Sequence, residues 1–388
     1  MDSPLPREAY LALADGTVWP GRPFGAAGAR AGEVVFNTCM TGYQEVLTDP
    51  SYCRQIVVMT APHVGNTGVN RHDDESGRAW VAGFAVRRAS ARVSSWRADG
   101  DLAGFLARHA VPGIDGLDTR ALVRHIRTHG AMPGALVNDG SPADQALAMA
   151  AAGPDINALD LVGEVTCGAP YTWVDGADPA WFPLATWRGV QPSGGGPRVV
   201  VLDLGVKRNT LRLLAARGCR VTVVPARTSA ADVLAMAPDG VVLSNGPGDP
   251  ARLTDVVAEV ARLLGRVPLL GICLGHQLLG LALGGRTYKL AFGHRGGNQP
   301  VQDLQSGIVS ISSHNHGYAL TEDGLPPAAR LSARNLNDGC VEGLVVPDAR
   351  ALGVQFHPES APGPHDAEGL FDVFLALVTA GRTPRPEP

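Results

Sequence analysis

The sequence predicts an α/β fold: a doubly wound parallel sheet in the C-terminal half, preceded by an α+β domain. Two observations carry this expectation. Past residue 197, apolar strand-type runs alternate with helix-type segments, in the order "RVVVLDLG", "KRNTLRLLAARG", "RVTVVPA", "SAADVLAMA", "GVVLSNGPG". These runs are continuously apolar, as strands are when helices cover both faces of a parallel sheet. Before residue 150 the order differs, with strand-type runs first and helices later. Between the two halves stands "QPSGGGP", residues 191–197, whose glycines and prolines read as a flexible linker. The expected division is therefore 1–150, an irregular connecting segment and linker over 151–197, and 198–388.

The elements follow in order. "YLALADGTVW" is a hairpin signal, two short runs around Asp15-Gly16. "EVVFNT", "QIVVMT" and "AWVAGFAV" are strand candidates rich in β-branched and aromatic residues. Helices are expected at "DLAGFLARH", "DTRALVRHIRTHG" and "SPADQALAMAAAG", the last with Ser141 as N-cap and Pro142 at the first helical position. After the alternating strands and helices already quoted come a helix near 254–264, the strand "VPLLGIC", and a helix from Gly275. "FGHRGGNQPV", residues 292–301, is glycine-rich and reads as a loop.

Composition narrows the function classes. The chain has 388 residues, enough for two or three domains. Its 33 basic and 37 acidic residues are nearly balanced, which gives no polybasic surface for nucleic acid. No run approaches the roughly 18 apolar residues needed to span a bilayer, and "MDSPLPREAY" lacks the apolar core of a signal peptide. The six cysteines are scattered without zinc spacing, which reads as reduced cytoplasmic thiols and neither a disulfide framework nor a metal site.

Chemistry concentrates at "GICLGHQ", residues 271–277. Gly271-x-Cys273-x-Gly275 follows the logic of a nucleophile elbow, in which small neighbours permit a strained strand-to-helix turn that presents the side chain. A thiol at a helix N-terminus has its pKa lowered. Taken alone, the pattern equally describes a cysteine packed on a tight turn. A second strand, "ALGVQFHPES", ends at His357 and Glu359. In a parallel sheet, ligands and catalytic groups gather beyond the carboxyl ends of strands. His357 there can move the thiol proton to a leaving amine, and Glu359 can orient and stabilise the imidazole. The loop "SNGPGDP" offers the Gly246 and Gly248 N–H groups, and Leu274 N–H follows the nucleophile, where an oxyanion donor is expected. A Walker A reading fails, because no Lys-Ser or Lys-Thr follows these glycines. "SSHNHGYAL" has two histidines at i, i+2 but no third ligand near them in sequence, which argues against a metal.

"GICLGHQ", "SNGPGDP" and "FHPE", in this order, resemble the class I glutamine amidotransferases over residues 198–388. "GEVVFNTCMTGYQEVLTDPSY", "APHVGN", "DTRALVRHIR", "FGHRGGNQPV" and "SSHNHGYAL" resemble, more narrowly, the family of small, glutamine-hydrolysing subunits of carbamoyl-phosphate synthetases. The resemblance implies a flavodoxin-like C-terminal domain and a Cys273–His357–Glu359 triad that releases ammonia from L-glutamine through a γ-glutamyl thioester. It implies that Ser51, Gly246, Gly248, Leu274, Gln277, Asn315, Gly317 and Tyr318 hold glutamine. It further implies a hetero-oligomer with a large ATP-grasp synthetase subunit that binds ATP and a divalent metal, so that this chain needs no cofactor or metal of its own. The product, carbamoyl phosphate, would serve arginine and pyrimidine biosynthesis in the cytoplasm. His314 departs from the pattern, standing where some relatives have glutamine. Residues 165–197 match less well. A glutaminase serving another acceptor, a non-catalytic subunit on the same scaffold and a thiol peptidase are the competing readings. The first 150 residues and the complete triad argue against the first two, and a glutaminase assay set against a casein assay separates the third.

Overall fold

The computed structural model describes residues 9–153, 155–175 and 195–380. It falls into two units, one of residues up to 159 together with 291–296, the other of residues 160–290 with those from 297 onward. Residues 191–194 of the expected linker, and 176–190 of the connecting segment before it, lie outside the described residues. The short elements at 156–158, 161–165 and 171–172 stand on either side of the division between the units.

In the first unit the hairpin signal at Asp15-Gly16 produces β1 (Ala9–Leu13) and β2 (Val18–Gly25), with Ala12 opposite Val18. β3 (Ala29–Asn37), the helix α1 (Tyr43–Thr48), β4 (Gln55–Met59), β5 (Gly83–Ala85), α2 (Leu102–Arg108), β6 (Pro112–Asp115), α3 (Thr119–His129), β7 (Met132–Val137) and α4 (Ala143–Ala151) follow. The strands close into a barrel in the order β1-β2-β6-β5-β4-β3-β7, with β7 returning to β1. Period-two alternation sorts the side chains. Val34, Phe36, Ile56 and Val58 join one apolar cluster with Leu122 and Ile126 of α3, while Val35 and Val57 join another with α1 and α2. The strands β6 and β7 were not expected, since "VPGID" and "MPGALV" are short and broken by Pro and Gly. Of "AWVAGFAV" only Gly83–Ala85 pairs as strand. Helix α4 starts one residue later than expected: Pro142 is its N-cap, and Ser141 donates its N–H to Asp139 without capping the helix.

The second unit continues with α5 (Leu161–Val165), β8 (Tyr171–Thr172), β9 (Arg198–Asp203), α6 (Arg208–Ala216), β10 (Arg220–Pro225), α7 (Ala230–Ala235), β11 (Gly240–Leu243), α8 (Thr254–Leu263), β12 (Leu269–Ile272) and α9 (Leu274–Ala282). It ends with β13 (Thr287–Asp303), β14 (Val309–Leu320), β15 (Arg330–Asn335), β16 (Val341–Val346), β17 (Ala351–Val354) and α10 (Leu370–Thr379). Strands β10, β9, β11, β12 and β17 form the parallel centre. It is doubly wound: Val200 and Leu202 of β9 pack with α7, α8 and α9, whereas Val199 and Val201 pack with α6 and α10. The sheet is wider and more mixed than expected. It runs β14-β13-β15-β16-β17-β12-β11-β9-β10-β8, with antiparallel strands outside the parallel ones. "FGHRGGNQPV" is accordingly not a loop but part of β13. Glycine lowers strand propensity without removing the ladder's donors and acceptors, so pairing overrides composition there.

Helix α10 buries Phe371, Phe374 and Val378, spaced as one helical face requires, and leaves the adjacent Val373 exposed. Phe374→Ala removes a ring from the cluster beneath β9, β11 and β12 and is expected to cost about 3–5 kcal/mol. Val373→Ala should stay within about 0.5 kcal/mol. Urea unfolding of both variants checks this pair, and equal midpoints would contradict the packing described.

Candidate active site

The parallel register brings two strand ends together. Leu243 pairs with Gly271 across β11 and β12, and Ile272 pairs with Val354 across β12 and β17. Cys273 follows β12 directly, donates its N–H to Val354 O at 2.8 Å and becomes the N-cap of α9. Its backbone has φ 51° and ψ −103°, a conformation that a non-glycine residue holds only at a cost of order 1–3 kcal/mol. The flanking glycines are required by contact. A Cβ on Gly275 would stand 2.1 Å from Leu243 O, and one on Gly271 2.6 Å from Gly275 O. The strained turn expected from the sequence is therefore present, and its small neighbours are explained.

The Cys273 thiol is buried, donates to Asn315 O at 3.6 Å and accepts from Gln355 Nε2 at 3.6 Å. His357 lies just past β17, tied by its N–H to Ser313 O of β14 at 2.8 Å. Its Nδ1 is 2.6 Å from Glu359 Oε1, which fixes the ring, and its Nε2 is buried without a hydrogen-bond partner at ordinary distance. Burial by itself would lower the imidazole's pKa. The charge of Glu359, followed by the nearby Cys273, outweighs burial and lifts it to about 10. His357 therefore carries its proton at neutral pH. Burial would likewise raise the Glu359 carboxyl, but Lys207 and then His357 hold it down at about 2. His276, inside the cysteine motif, is the opposite case: full burial pushes it down to about 3, so it stays neutral and is no rival base.

Two buried participants escaped the sequence reading. Lys207, between β9 and α6, places Nζ 3.1 Å from Glu359 Oε1 and also donates to Ser360 O. Asn209 donates to Glu359 O from the same helix start. The signal for Lys207 was its place at the carboxyl end of β9, a position shared with the other site loops. Gln355 accepts from Gln277 Nε2 at 2.9 Å while donating to the thiol. It stands two residues before His357, hence on the same side of an extended chain.

The remaining expected residues sort by unit. Gln277 on α9 donates to Tyr318 O at 2.7 Å, tying the helix to β14. Asn315, Gly317 and Tyr318 lie on β14, Asn315 beside the thiol. Leu274 opens α9, so its N–H belongs to the first turn, where no intrahelical acceptor exists. Gly246 packs so closely under Leu204 that a Cβ would meet its carbonyl oxygen at 2.0 Å, and Gly248 has φ 93°. Both stand in the loop after β11, at the same edge of the sheet as Cys273. Ser51 belongs to the first unit, in a buried turn where its N–H is donated to Asp49 Oδ1 at 2.8 Å. None of the six cysteines forms a disulfide, and Cys167 and Cys340 are pushed up to about 12, by burial first and carboxylate neighbours next.

Comparison with known proteins agrees with this geometry. Residues 11–136 match the carbamoyl-phosphate synthase small chain, CPSase domain, and residues 200–377 match glutamine amidotransferase class-I. The carbamoyl phosphate synthase small chain of Syntrophotalea carbinolica is 52% identical over 97% of this chain and 99% of its own length. That of Escherichia coli O6:H1 is 47% identical over 96% of this chain and 97% of its own. The chloroplastic small chain of Oryza sativa is 47% identical over 97% of this chain and 83% of its own. With matches of this extent across both units, the chain belongs to the carbamoyl-phosphate synthase small chain family.

Proposed function

We propose that Cys273, His357 and Glu359 hydrolyse L-glutamine and that the ammonia passes to a large synthetase subunit. The observation that supports this most is the convergence of a strained, glycine-flanked cysteine with a protonated, carboxylate-bound histidine at adjacent strand ends. With the one proton that Cys273 and His357 share held on Nε2, Cys273 Sγ attacks the side-chain amide carbon of glutamine as a thiolate, and the C–N bond breaks as His357 Nε2 gives that proton to the leaving nitrogen. The products of this step are ammonia and a γ-glutamyl thioester. Water then attacks the thioester, giving a proton to His357 and releasing glutamate and the thiolate. One water is consumed, and the enzyme returns to its starting state. Glu359 keeps Nδ1 engaged throughout, so that Nε2 is the working nitrogen. The N–H of Leu274 and those of the 246–248 loop are the donors for the oxyanion. Gln277, Asn315, Gly317 and Tyr318 hold the substrate.

The acceptor chemistry belongs to the partner. The sequence has no P-loop and no dinucleotide fingerprint, so activation of bicarbonate by ATP falls to the large chain with its own nucleotide and metal. Among the described residues no helix is long and apolar enough to cross a membrane. Ammonia freed into neutral water would protonate and lose its nucleophilicity, which favours a sheltered route between the subunits.

Cys273→Ser should lower glutamine hydrolysis by orders of magnitude with an unchanged circular dichroism spectrum. An electrophilic glutamine analogue should label Cys273 among the six cysteines, as peptide mass mapping will report; labelling at Cys219 or Cys340 would refute the assignment. His357→Asn should cost about 10²–10⁴-fold in kcat. The pH profile separates the roles further. The wild-type histidine loses its proton only as pH rises through about 10. Glu359→Gln removes the largest upward influence, so the alkaline limb of kcat/KM should move to lower pH; an unmoved limb would rule out this role for Glu359. Finally, the large subunit with ATP and bicarbonate should accelerate glutamate release, and external labelled ammonium should not dilute glutamine-derived nitrogen in the product. Free dilution would argue against the sheltered route.

A further inference from the structure

The two histidines of "SSHNHGYAL" lack a third ligand in sequence, but the fold supplies one. Strand β16 lays Glu342 beside them. We propose that His314 Nδ1, His316 Nε2 and Glu342 Oε1 form a binding site for a divalent transition-metal ion of the zinc type.

The distances fit such an ion. His314 Nδ1 is 3.2 Å from His316 Nε2 and 3.6 Å from Glu342 Oε1. A tetrahedral ion with ligands at ~2.0–2.1 Å holds them about 3.3–3.4 Å apart. All three side chains are buried. Two imidazoles and one carboxylate are a donor set suited to zinc.

Hydrogen bonding fixes where the lone pairs lie. His316 Nδ1 donates to Tyr318 O at 2.8 Å, so Nε2 holds the lone pair of the neutral ring. Ser312 Oγ donates to Gln299 O at 3.2 Å, so its contact with His314 Nε2 at 2.9 Å has the ring as donor. His314 Nδ1 therefore also holds a lone pair. Two lone-pair nitrogens 3.2 Å apart repel each other unless a positive charge stands between them, and that charge is a proton or a metal ion. The outer contacts, to a hydroxyl and a backbone carbonyl, are those that orient metal-binding histidines.

Glu342 completes the donor set. Its Oε1 accepts from Asn335 Nδ2 at 3.0 Å, while Oε2 is buried with no hydrogen-bond partner. A dication would stand between the two imidazole lone pairs and this carboxylate, with Oε2 or a water in the fourth position. Bound there, the ion would brace the strand that carries Asn315 and Tyr318 on either side of His316.

The test uses the full chain stripped with chelator and titrated with Co²⁺, then with Zn²⁺. Wild type should bind one equivalent and show the visible bands of a four-coordinate nitrogen–oxygen complex, without a sulfur charge-transfer band, and Zn²⁺ should displace the cobalt. Glu342→Gln and His314→Asn should each weaken binding by at least about 10-fold, taking the lower end of the range seen for changes around a metal site. Zn²⁺ should raise the Tm of wild type but not of Glu342→Gln. A wild-type titration without a four-coordinate spectrum, a sulfur charge-transfer band, or unchanged affinity in both variants would overturn the proposal. If a variant fails to fold, the wild-type cobalt spectrum decides alone.

Discussion

The site depends on one constraint, the parallel register of β11, β12 and β17. Because Leu243 lies opposite Gly271 and Ile272 opposite Val354, the three strands stop at one level. The chain emerging from β12 has to turn at once into α9, since Gly275 N–H is taken by Ser244 O and Cys273 N–H by Val354 O. The unusual φ and ψ of Cys273 are the result of satisfying both bonds in two residues. The burial of both sheet faces holds that conformation in place. The exit from β17 is fixed in the same way, by the bond from His357 N–H to Ser313 O. Cys273 and His357 are positioned by backbone pairing before any side chain is considered.

Charge is then distributed along a buried line of Lys207, Glu359 and His357. A buried ion pair is costly to desolvate, and removing one member is worse, about 3–5 kcal/mol. Lys207 therefore links the charge state of His357 to stability: it favours the ionised Glu359, and the ionised Glu359 favours the charged His357. Cys273, His357 and Glu359 described alone would leave out the group that biases their charge state. Glu359, held at about 2, stabilises the fold above the ordinary carboxylate pKa and loses that contribution only in strong acid, as pH falls toward about 2.

Much of this was legible in the residues. Continuous apolar runs announced the parallel strands, Gly271 and Gly275 announced the turn, and "FHPE" placed a base and a carboxylate at a strand end. The residues proposed to hold glutamine came only through family resemblance, because a glycine or an asparagine on a strand has no local signature of its ligand. What could not be read was non-local. The barrel closes through β6 and β7, short strands whose pairing depends on partners far along the chain. The glycine-rich β13 is strand because of the ladder it joins, against its own propensity. Lys207, Gln355 and Glu342 matter through partners 152, 78 and 28 or fewer residues away, and no local period marks them.

The contact beneath Gly275 has a mechanical meaning. With Leu243 O occupying the space where a side chain would begin, α9 cannot slide or tilt toward β11, and it can swing away only by breaking the Gly275–Ser244 bond. The sulfur thus sits on a joint without play, a datum against which other parts move. Across from it, β14 and the chain after β17 meet through the isolated Ser313–His357 bridge and the bond from Ile311 N–H to Asp366 Oδ2, without a continuous ladder among the described residues. A shift at this end of the sheet is therefore taken up by His357 and β14 more readily than by Cys273, which stays where the sheet put it.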